Sequence, residues 1–198
     1  MPLLELLAGS PALLVGCVLL LGLLVGSFLN VVVHRMPIML EREWRAQCED
    51  LAGREPAKGA PFNLVVPRSA CPSCKAPITA VQNVPVLSWL WLRGRCANCG
   101  TGISARYPLV ELLTGLLSAA VAWKFGWGWP MGAALVLTWY LVALTFIDVD
   151  TQLLPDSLTL SLLWIGLLLS LWAADNGGAA VPVDTRTAII GAIAGYLS

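Results

Sequence analysis

Long uncharged stretches alternate with polar segments along this chain, and their lengths match those of helices that cross a lipid bilayer. A spanning helix needs about 20 mostly apolar residues. The first such stretch covers residues 11–33, and the second covers residues 108–124 and contains a single acid, Glu111. Two further stretches cover residues 131–147 and 155–173. The pattern therefore predicts four membrane-spanning helices.

The two ends of the chain differ from these four stretches. Residues 187–198 are apolar but too few to cross a bilayer, so we expect a fifth span that is cut short. At the other end, Glu5 is the one charge before residue 11, whereas a cleavable signal peptide carries a basic flank. The first stretch is therefore expected to be retained. Within it, Gly22 and Gly26 would allow another helix to approach closely, although glycines at this spacing also occur by chance.

Composition and charge agree with a membrane protein. The chain is 58% hydrophobic and 12% charged, whereas a soluble globular domain is roughly a quarter charged. The net charge of zero is unevenly distributed, because residues 34–106, called here the basic segment, contain ten of the twelve Lys and Arg but only five acids. No part of the basic segment is dense or aromatic enough to indicate a nucleic-acid partner.

Basic residues beside the spans predict their orientation, because cytoplasmic flanks carry an excess of Lys and Arg. Arg35 and Arg106 lie at the ends of the first and second spans. We therefore expect the basic segment in the cytoplasm and the N-terminus outside. The turn 124–130 and the loop 175–184 then lie outside, and the turn 148–156 lies on the cytoplasmic side.

Four cysteines in the basic segment form two C-x-x-C pairs separated by 21 residues. They are Cys71, Cys74, Cys96 and Cys99. This spacing is typical of a tetrahedral zinc site with four thiolate ligands. The alternatives are two disulfides or four free thiols, and a reducing cytoplasm disfavours disulfides. Four thiolates leave no open position on the metal, so we expect a structural zinc. Cys17 and Cys48 are interpreted as ordinary residues, and His34 as a polar anchor at the interface.

Three acids lie within the stretch FIDVDTQLLPD at residues 146–156. Asp148 and Asp150 are about 200° apart around a helix, so they cannot share a face. Pro155 interrupts the helix, so we expect span three to end in a turn over residues 150–152. The helix dipole explains Asp156 at the start of span four, and Asp150 is expected to point to water. Asp148 lies closest to the hydrocarbon, where a charge is costly and usually functional, and is therefore the best catalytic candidate.

A single carboxylate does not suffice for peptide hydrolysis by acid–base chemistry. An aspartic peptidase needs one ionised and one protonated acid close together. Glu111 is a possible second acid by its position alone, but helix packing or pairing with an arginine is the simpler interpretation. His34 is the only histidine, which argues against Ser-His-Asp or Cys-His catalysis, and no GxxxxGK[ST] or GxGxxG sequence occurs.

Four separated motifs make the chain similar to the bacterial type IV prepilin peptidases, which are membrane aspartic peptidases of the GxGD class. The motifs are GSFLNVVVHRMP at residues 26–37, the two C-x-x-C pairs with NVPVLSWLWLRGRC at 83–96, ISARYPLVELLTG at 103–115, and FIDVDTQLLPD. They occur in the order found in the family and cover most of residues 26–156. Their combination is specific, whereas each alone would be weak.

The resemblance implies an enzyme that cleaves the basic leader from prepilins and from type II secretion pseudopilins. Cleavage would occur at the cytoplasmic face of the bacterial inner membrane, with the N-terminus of the chain in the periplasm. Many members then methylate the new N-terminus with S-adenosylmethionine, for which no binding residues are assigned here. The first catalytic aspartate of the family matches Asp148, and the second belongs to a GxGD motif farther along. Many members contain the four cysteines, in agreement with a structural zinc.

The predicted architecture is an all-α polytopic membrane protein with a small cytoplasmic zinc-ribbon-like loop domain. Residues 1–33 form the N-terminal segment and first span, residues 34–107 the cytoplasmic loop, and residues 108–198 an incomplete peptidase domain. No GxGD occurs in the sequence, so we expect a truncated chain that is inactive alone. The alternative is a non-enzymatic membrane scaffold that keeps only the zinc ribbon and the spans. A zinc-dependent membrane enzyme is disfavoured by four closed ligands.

Overall fold

The protein is built from helices, as predicted. The structure, a computed structural model, describes residues 2–54, 59–175 and 184–197. Within these ranges no β-strand occurs beyond two isolated bridges. The helices are α1 (Pro2–Gly9), α2 (Pro11–Leu51), α3 (Leu87–Trp91), α4 (Arg106–Phe125), α5 (Trp129–Thr151), α6 (Asp156–Asp175) and α7 (Thr185–Leu197). A 3₁₀ turn at Val81–Asn83 precedes α3.

Three helices in the described part of the chain, α2, α4 and α5, are long and apolar enough to cross a membrane. Helix α6 has 20 residues and is apolar over Asp156–Trp172, and α7 has 13 residues. An integral membrane protein is therefore confirmed, while the count of four spans and a fifth stays a prediction. Residues 176–183 of the predicted outer loop, and Ser198 at the end of the predicted fifth span, lie outside the described residues.

Helix α2 continues far past residue 33, where the first span is predicted to end. Pro37 lies inside it, although proline removes a backbone hydrogen bond and usually ends or kinks a helix. The residues after Pro37 are mostly good helix formers, and Arg45 pairs with Glu41 one turn earlier at 2.8 Å. The end of the apolar pattern thus marks the expected end of the span, whereas the helix extends about 27 Å farther into the basic segment.

Helices α2 and α4 pack closely at glycines. A Cβ atom added to Gly22 would lie 2.6 Å from the Ser118 Oγ, and one added to Gly26 would lie 2.7 Å from the Glu111 Cα. Gly115 of α4 also lies in this contact, because its added Cβ would lie 2.8 Å from a Leu23 methyl carbon, which is a side-chain atom. The glycine spacing in the first span therefore does serve a close helix–helix approach, as small residues do in membrane interfaces.

Helix α5 completes a three-helix core with α2 and α4. Two buried apolar clusters, one toward each end, contain Leu14, Val18, Ala122, Met131 and Leu135, and Leu29, Val32, Val110, Val142 and Ala143. Between them the Trp139 Nε1 donates to the buried Ser118 Oγ at 3.0 Å. This bond satisfies both polar groups inside the bundle, where an unpaired group would be costly.

One end of this bundle gathers the residues that the sequence marks for chemistry. The Asn30 Nδ2 of α2 donates to the Tyr107 carbonyl at the start of α4, at 3.0 Å. Arg106 at the same point reaches the last turn of α5. The cysteine segment connects α2 to α4, so it emerges at the end where the acids of residues 148–156 lie. Their placement at one end agrees with the predicted topology.

Candidate functional site

Each C-x-x-C pair folds as the same tight turn, and the two turns are 25 residues apart. The amide of the first cysteine donates to the carbonyl oxygen five residues later, at 2.9 Å for Cys71 and 2.8 Å for Cys96. The residue after the second cysteine has a positive φ in both turns, +58° at Lys75 and +71° at Gly100. This geometry curls both cysteines of a pair toward one point, as expected for the predicted knuckles.

The two turns bring all four cysteine sulfurs together. The Sγ atoms lie within 4.8 Å of one another, and the Cys71 and Cys99 sulfurs are 3.8 Å apart. A tetrahedron with metal–sulfur bonds of about 2.3 Å has edges of about 3.8 Å, so the donor set fits a zinc ion. No disulfide joins any of the six cysteines in this structure. In the described part of the chain this is the cluster that could hold a metal, and it does not include His34.

Neighbouring polar side chains favour the thiolate form that binds metals. The Thr101 side chain lies 3.2 Å from the Cys99 sulfur, and hydrogen bonding to it lowers the pKa of that thiol to about 6. The Asn98 Nδ2 donates to the Cys74 sulfur at 3.5 Å and lowers the pKa of Cys74. Since thiolates are the ligating species, Thr101 and Asn98 act as outer partners of the site.

The segment between the two turns packs against them through Trp89. Its Nε1 donates to the Ile103 carbonyl at 3.2 Å. Gly94 has a φ of +66°, and a Cβ atom there would lie 2.9 Å from the Trp89 ring. A glycine is therefore required both by the backbone conformation and by the close approach of the indole.

The acidic stretch is more helical than expected. Helix α5 runs through Thr151 and ends at Gln152, which has left-handed backbone angles of 52° and 31°. Asp148 and Asp150 thus lie in its last turn, and the predicted turn over residues 150–152 is wrong by two residues. The Gln152 amide donates to the Asp148 carbonyl at 2.8 Å, which closes the helix before Pro155.

Asp150 is exposed, as predicted, but it is also ion-paired, which the sequence did not show. Its Oδ1 accepts a hydrogen bond from the Arg106 Nη1 at 2.5 Å, and the Arg106 Nη2 donates to the Phe146 carbonyl at 3.2 Å. The guanidinium also lies 5.3 Å from the centre of the Phe146 ring. Arg106 therefore joins the start of α4 to the end of α5, a role that its position at a span boundary does not reveal.

Asp148 keeps a free carboxylate. It is exposed and directly follows Ile147, which is fully buried. In the described ranges its side chain has no hydrogen bond or ion pair, and the same holds for Asp156 in the first turn of α6. Of the three acids, Asp150 is thus paired with an arginine, whereas the carboxylates of Asp148 and Asp156 have no partner in the described ranges.

Glu111 is not among the acids with a free carboxylate. It is 8% exposed, and its Oε2 accepts a hydrogen bond from the Val86 amide at 2.8 Å, where the chain enters α3. The expectation of helix packing is confirmed, because Gly26 packs against the Glu111 Cα. No arginine pairs with Glu111 in the described residues, and its carboxylate accepts from the Val86 amide instead. Glu111 thus connects the membrane helices to the cysteine segment.

Arg35 is a second residue whose role the sequence does not show. It is 7% exposed and donates to the Asn63 and Pro67 carbonyls at 2.8 and 2.6 Å. The Phe62 ring lies 5.6 Å from its guanidinium carbon. Arg35 therefore ties the loop before the cysteines to α2. The motif GSFLNVVVHRMP contains it but gives no sign of these partners.

Two family models match the sequence of this chain. Residues 20–125 match the family model of the bacterial peptidase A24 N-terminal domain, and residues 135–198 match that of the type IV leader peptidase family. No solved structure is significantly similar to the chain.

Relatives named prepilin leader peptidase/N-methyltransferase are similar over nearly all of the chain. The Aeromonas hydrophila protein is 59% identical over 98% of this chain and 66% of its own length. The Pseudomonas aeruginosa protein is 53% identical over 100% and 66%, and the Neisseria gonorrhoeae protein 51% identical over 90% and 60%. The chain thus spans just under two thirds of the length of these relatives. The chain belongs to the bacterial A24 peptidases, the type IV leader peptidase family.

Proposed function

We propose that this chain supplies a metal-stabilised unit and one catalytic aspartate to a membrane leader peptidase. The whole protein would cleave the leaders of type IV prepilins and type II secretion pseudopilins and then methylate the new N-terminus. The family membership and the shared name of the relatives support this proposal. The observation that carries it is the free carboxylate of Asp148, at the end of the bundle where the cysteine segment emerges.

Asp148 is the catalytic residue that we propose in this chain. The ion pair with Arg106 occupies Asp150, and the Val86 amide occupies Glu111, so neither is free to activate water. Asp148 is exposed and directly follows the buried Ile147. The family resemblance selects the same residue.

The chemistry requires two carboxylates. The ionised one takes a proton from water while the water oxygen attacks the scissile carbonyl carbon, and the protonated one donates its proton to the carbonyl oxygen. Collapse of the resulting diol breaks the C–N bond as the departing nitrogen is protonated. The resemblance assigns the second carboxylate to a GxGD motif, which these 198 residues do not contain. We therefore expect this chain to be inactive by itself.

The metal is proposed to be a structural zinc ion. It would be held by Cys71, Cys74, Cys96 and Cys99. Four thiolate ligands leave no position for water or substrate, so the ion links the two turns without entering the reaction. We propose S-adenosylmethionine as the methyl donor of the whole protein, and no residue of this chain is assigned to bind it.

The proposed location is the bacterial inner membrane. The lipid bilayer would surround α2, α4 and α5, with the N-terminus in the periplasm and the metal unit and Asp148 in the cytoplasm. The basic segment beside the spans supports this orientation. Prepilins and pseudopilins are the proposed protein partners.

The function is tested with the full-length gene product, purified in lipid and incubated with a prepilin. Mass spectrometry of the mature N-terminus should show loss of the leader, and addition of a methyl group only when S-adenosylmethionine is present. If an intact full-length protein leaves the prepilin uncut, the scaffold alternative replaces the peptidase.

A further inference from the structure

The segment between the two cysteine turns exposes large apolar side chains. Leu87, Leu90 and Trp91 of α3 are 66%, 58% and 78% exposed, and Val84 just before them is 40% exposed. The three helical residues follow the i, i+3, i+4 spacing of one helix face. Trp89, on the other side, is directed toward the cysteine turns by its hydrogen bond to Ile103. One face of α3 is thus directed toward the cysteine turns, and its other face is apolar and exposed.

The start of α3 lies at the depth of the membrane-spanning helices. The Val86 amide is bonded to the Glu111 carboxylate, five residues into α4 and therefore about 7.5 Å along the helix from Arg106. Gly26 of α2 packs on the Glu111 Cα, about 10 Å before residue 33. The positions along both helices therefore place the bond between Val86 and Glu111 inside the predicted ends of the spans. Helices that lie in a bilayer interface bury their apolar face about 5–10 Å into the boundary between headgroups and acyl chains.

The charge of the same segment suits an anionic surface. Residues 59–105 contain four basic residues and no acid. They are Arg68, Lys75, Arg93 and Arg95, all of them exposed. The net charge of this segment stays positive even when a zinc ion with four thiolates is included. Polybasic segments next to spanning helices are attracted to anionic headgroups.

We propose that α3 lies in the bilayer interface at the end of the bundle where α4 begins. Leu87, Leu90 and Trp91 would enter the boundary between acyl chains and headgroups, with the basic residues among anionic headgroups. The apolar face would continue the lipid-facing surface of α4, where Leu109 and Leu112 are 57% and 44% exposed. Glu111 is then a positioning residue that holds the metal unit down on the membrane. This inference does not depend on the proposed peptidase activity.

The test determines whether lipid or water surrounds the Trp91 side chain. The full-length gene product is labelled with fluorotryptophan and placed in nanodiscs that contain phosphatidylglycerol. The fluorine NMR signal of Trp91 is assigned with W91F. A lipid with a nitroxide near the headgroup end of its acyl chain should abolish this signal, and an aqueous gadolinium chelate should leave it. Trp44, 46% exposed on the charged part of α2, is the matched control and should show the opposite response.

Two results would overturn the proposal. If gadolinium abolishes the Trp91 signal and the nitroxide does not, α3 lies in water. If neither reagent affects it, protein covers α3, either a second copy or another part of the full-length chain, and lipid does not.

The positioning role of Glu111 has its own variants. E111Q keeps an oxygen that accepts from the Val86 amide, so Trp91 should stay protected from gadolinium. E111L removes the acceptor and should expose Trp91 to gadolinium. Zinc content is measured in each variant to confirm that the metal unit is folded. A Trp91 that stays in lipid in folded E111L would contradict the role of Glu111.

Discussion

Substitution of Gly26 by alanine should open the contact between α2 and α4. The added methyl group would lie 2.7 Å from the Glu111 Cα, 3.1 Å from the Thr114 Cβ and 3.2 Å from the Glu111 carbonyl oxygen. Carbon atoms in contact prefer about 3.5–4.0 Å, so the helices must separate by roughly 1 Å. The obstacle is backbone, which cannot rotate away as a side chain can. Overpacking of this kind typically costs about 1–3 kcal/mol of folding free energy.

Gly16 provides the matched control, because it lies on the same helix and an added Cβ there meets nothing within 4 Å. G16A should leave the free energy of unfolding unchanged or raise it by up to about 1 kcal/mol through helix propensity. Both variants are compared by reversible unfolding in mixed detergent micelles, followed by circular dichroism. Equal stability of G26A and G16A would refute the close packing of α2 on α4.

Three further predictions concern the metal unit and the helix ends. C74S should lower bound zinc below one ion per chain, measured by elemental analysis, whereas C17S should not; equal zinc in both would contradict the four-cysteine site. T101V removes the hydroxyl next to Cys99 and should weaken zinc affinity about 10–100-fold in a chelator competition, and T101S should restore it; an unchanged T101V would show that this hydrogen bond does not tune the site. R106Q breaks an ion pair that is about one-third exposed and should cost at most about 1 kcal/mol in the same unfolding assay; a loss of several kcal/mol would mean that its bond to the Phe146 carbonyl matters more than the pair.

Local sequence patterns predicted the features that depend on neighbouring residues. The two C-x-x-C pairs contain their own turns, so their spacing alone indicated that four sulfurs converge. Apolar stretches long enough to cross a bilayer indicated α2, α4 and α5, because backbone hydrogen bonds in lipid are satisfied within a helix. The separation of Asp148 from Asp150 also followed from helix geometry.

The sequence did not predict features that depend on distant residues. Arg35 and Arg106 were interpreted through the membrane rule for basic flanks, yet their partners lie 28 to 44 residues away. The partner of Glu111 is a backbone amide 25 residues earlier, and amides leave no mark in a sequence. The extension of α2 was missed because the apolar pattern ends at residue 33, whereas helix propensity persists past Pro37.

Leader cleavage by D148N, compared with D150N in the full-length protein, tests the central claim most directly. The two carboxylates lie in the same helical turn, but one is free and the other is paired with Arg106. D148N should lose cleavage by about 10²–10⁴-fold or more with its zinc content unchanged, and D150N should cleave at close to the normal rate. Normal cleavage by D148N, or loss of cleavage in D150N alone, would contradict the assignment of Asp148.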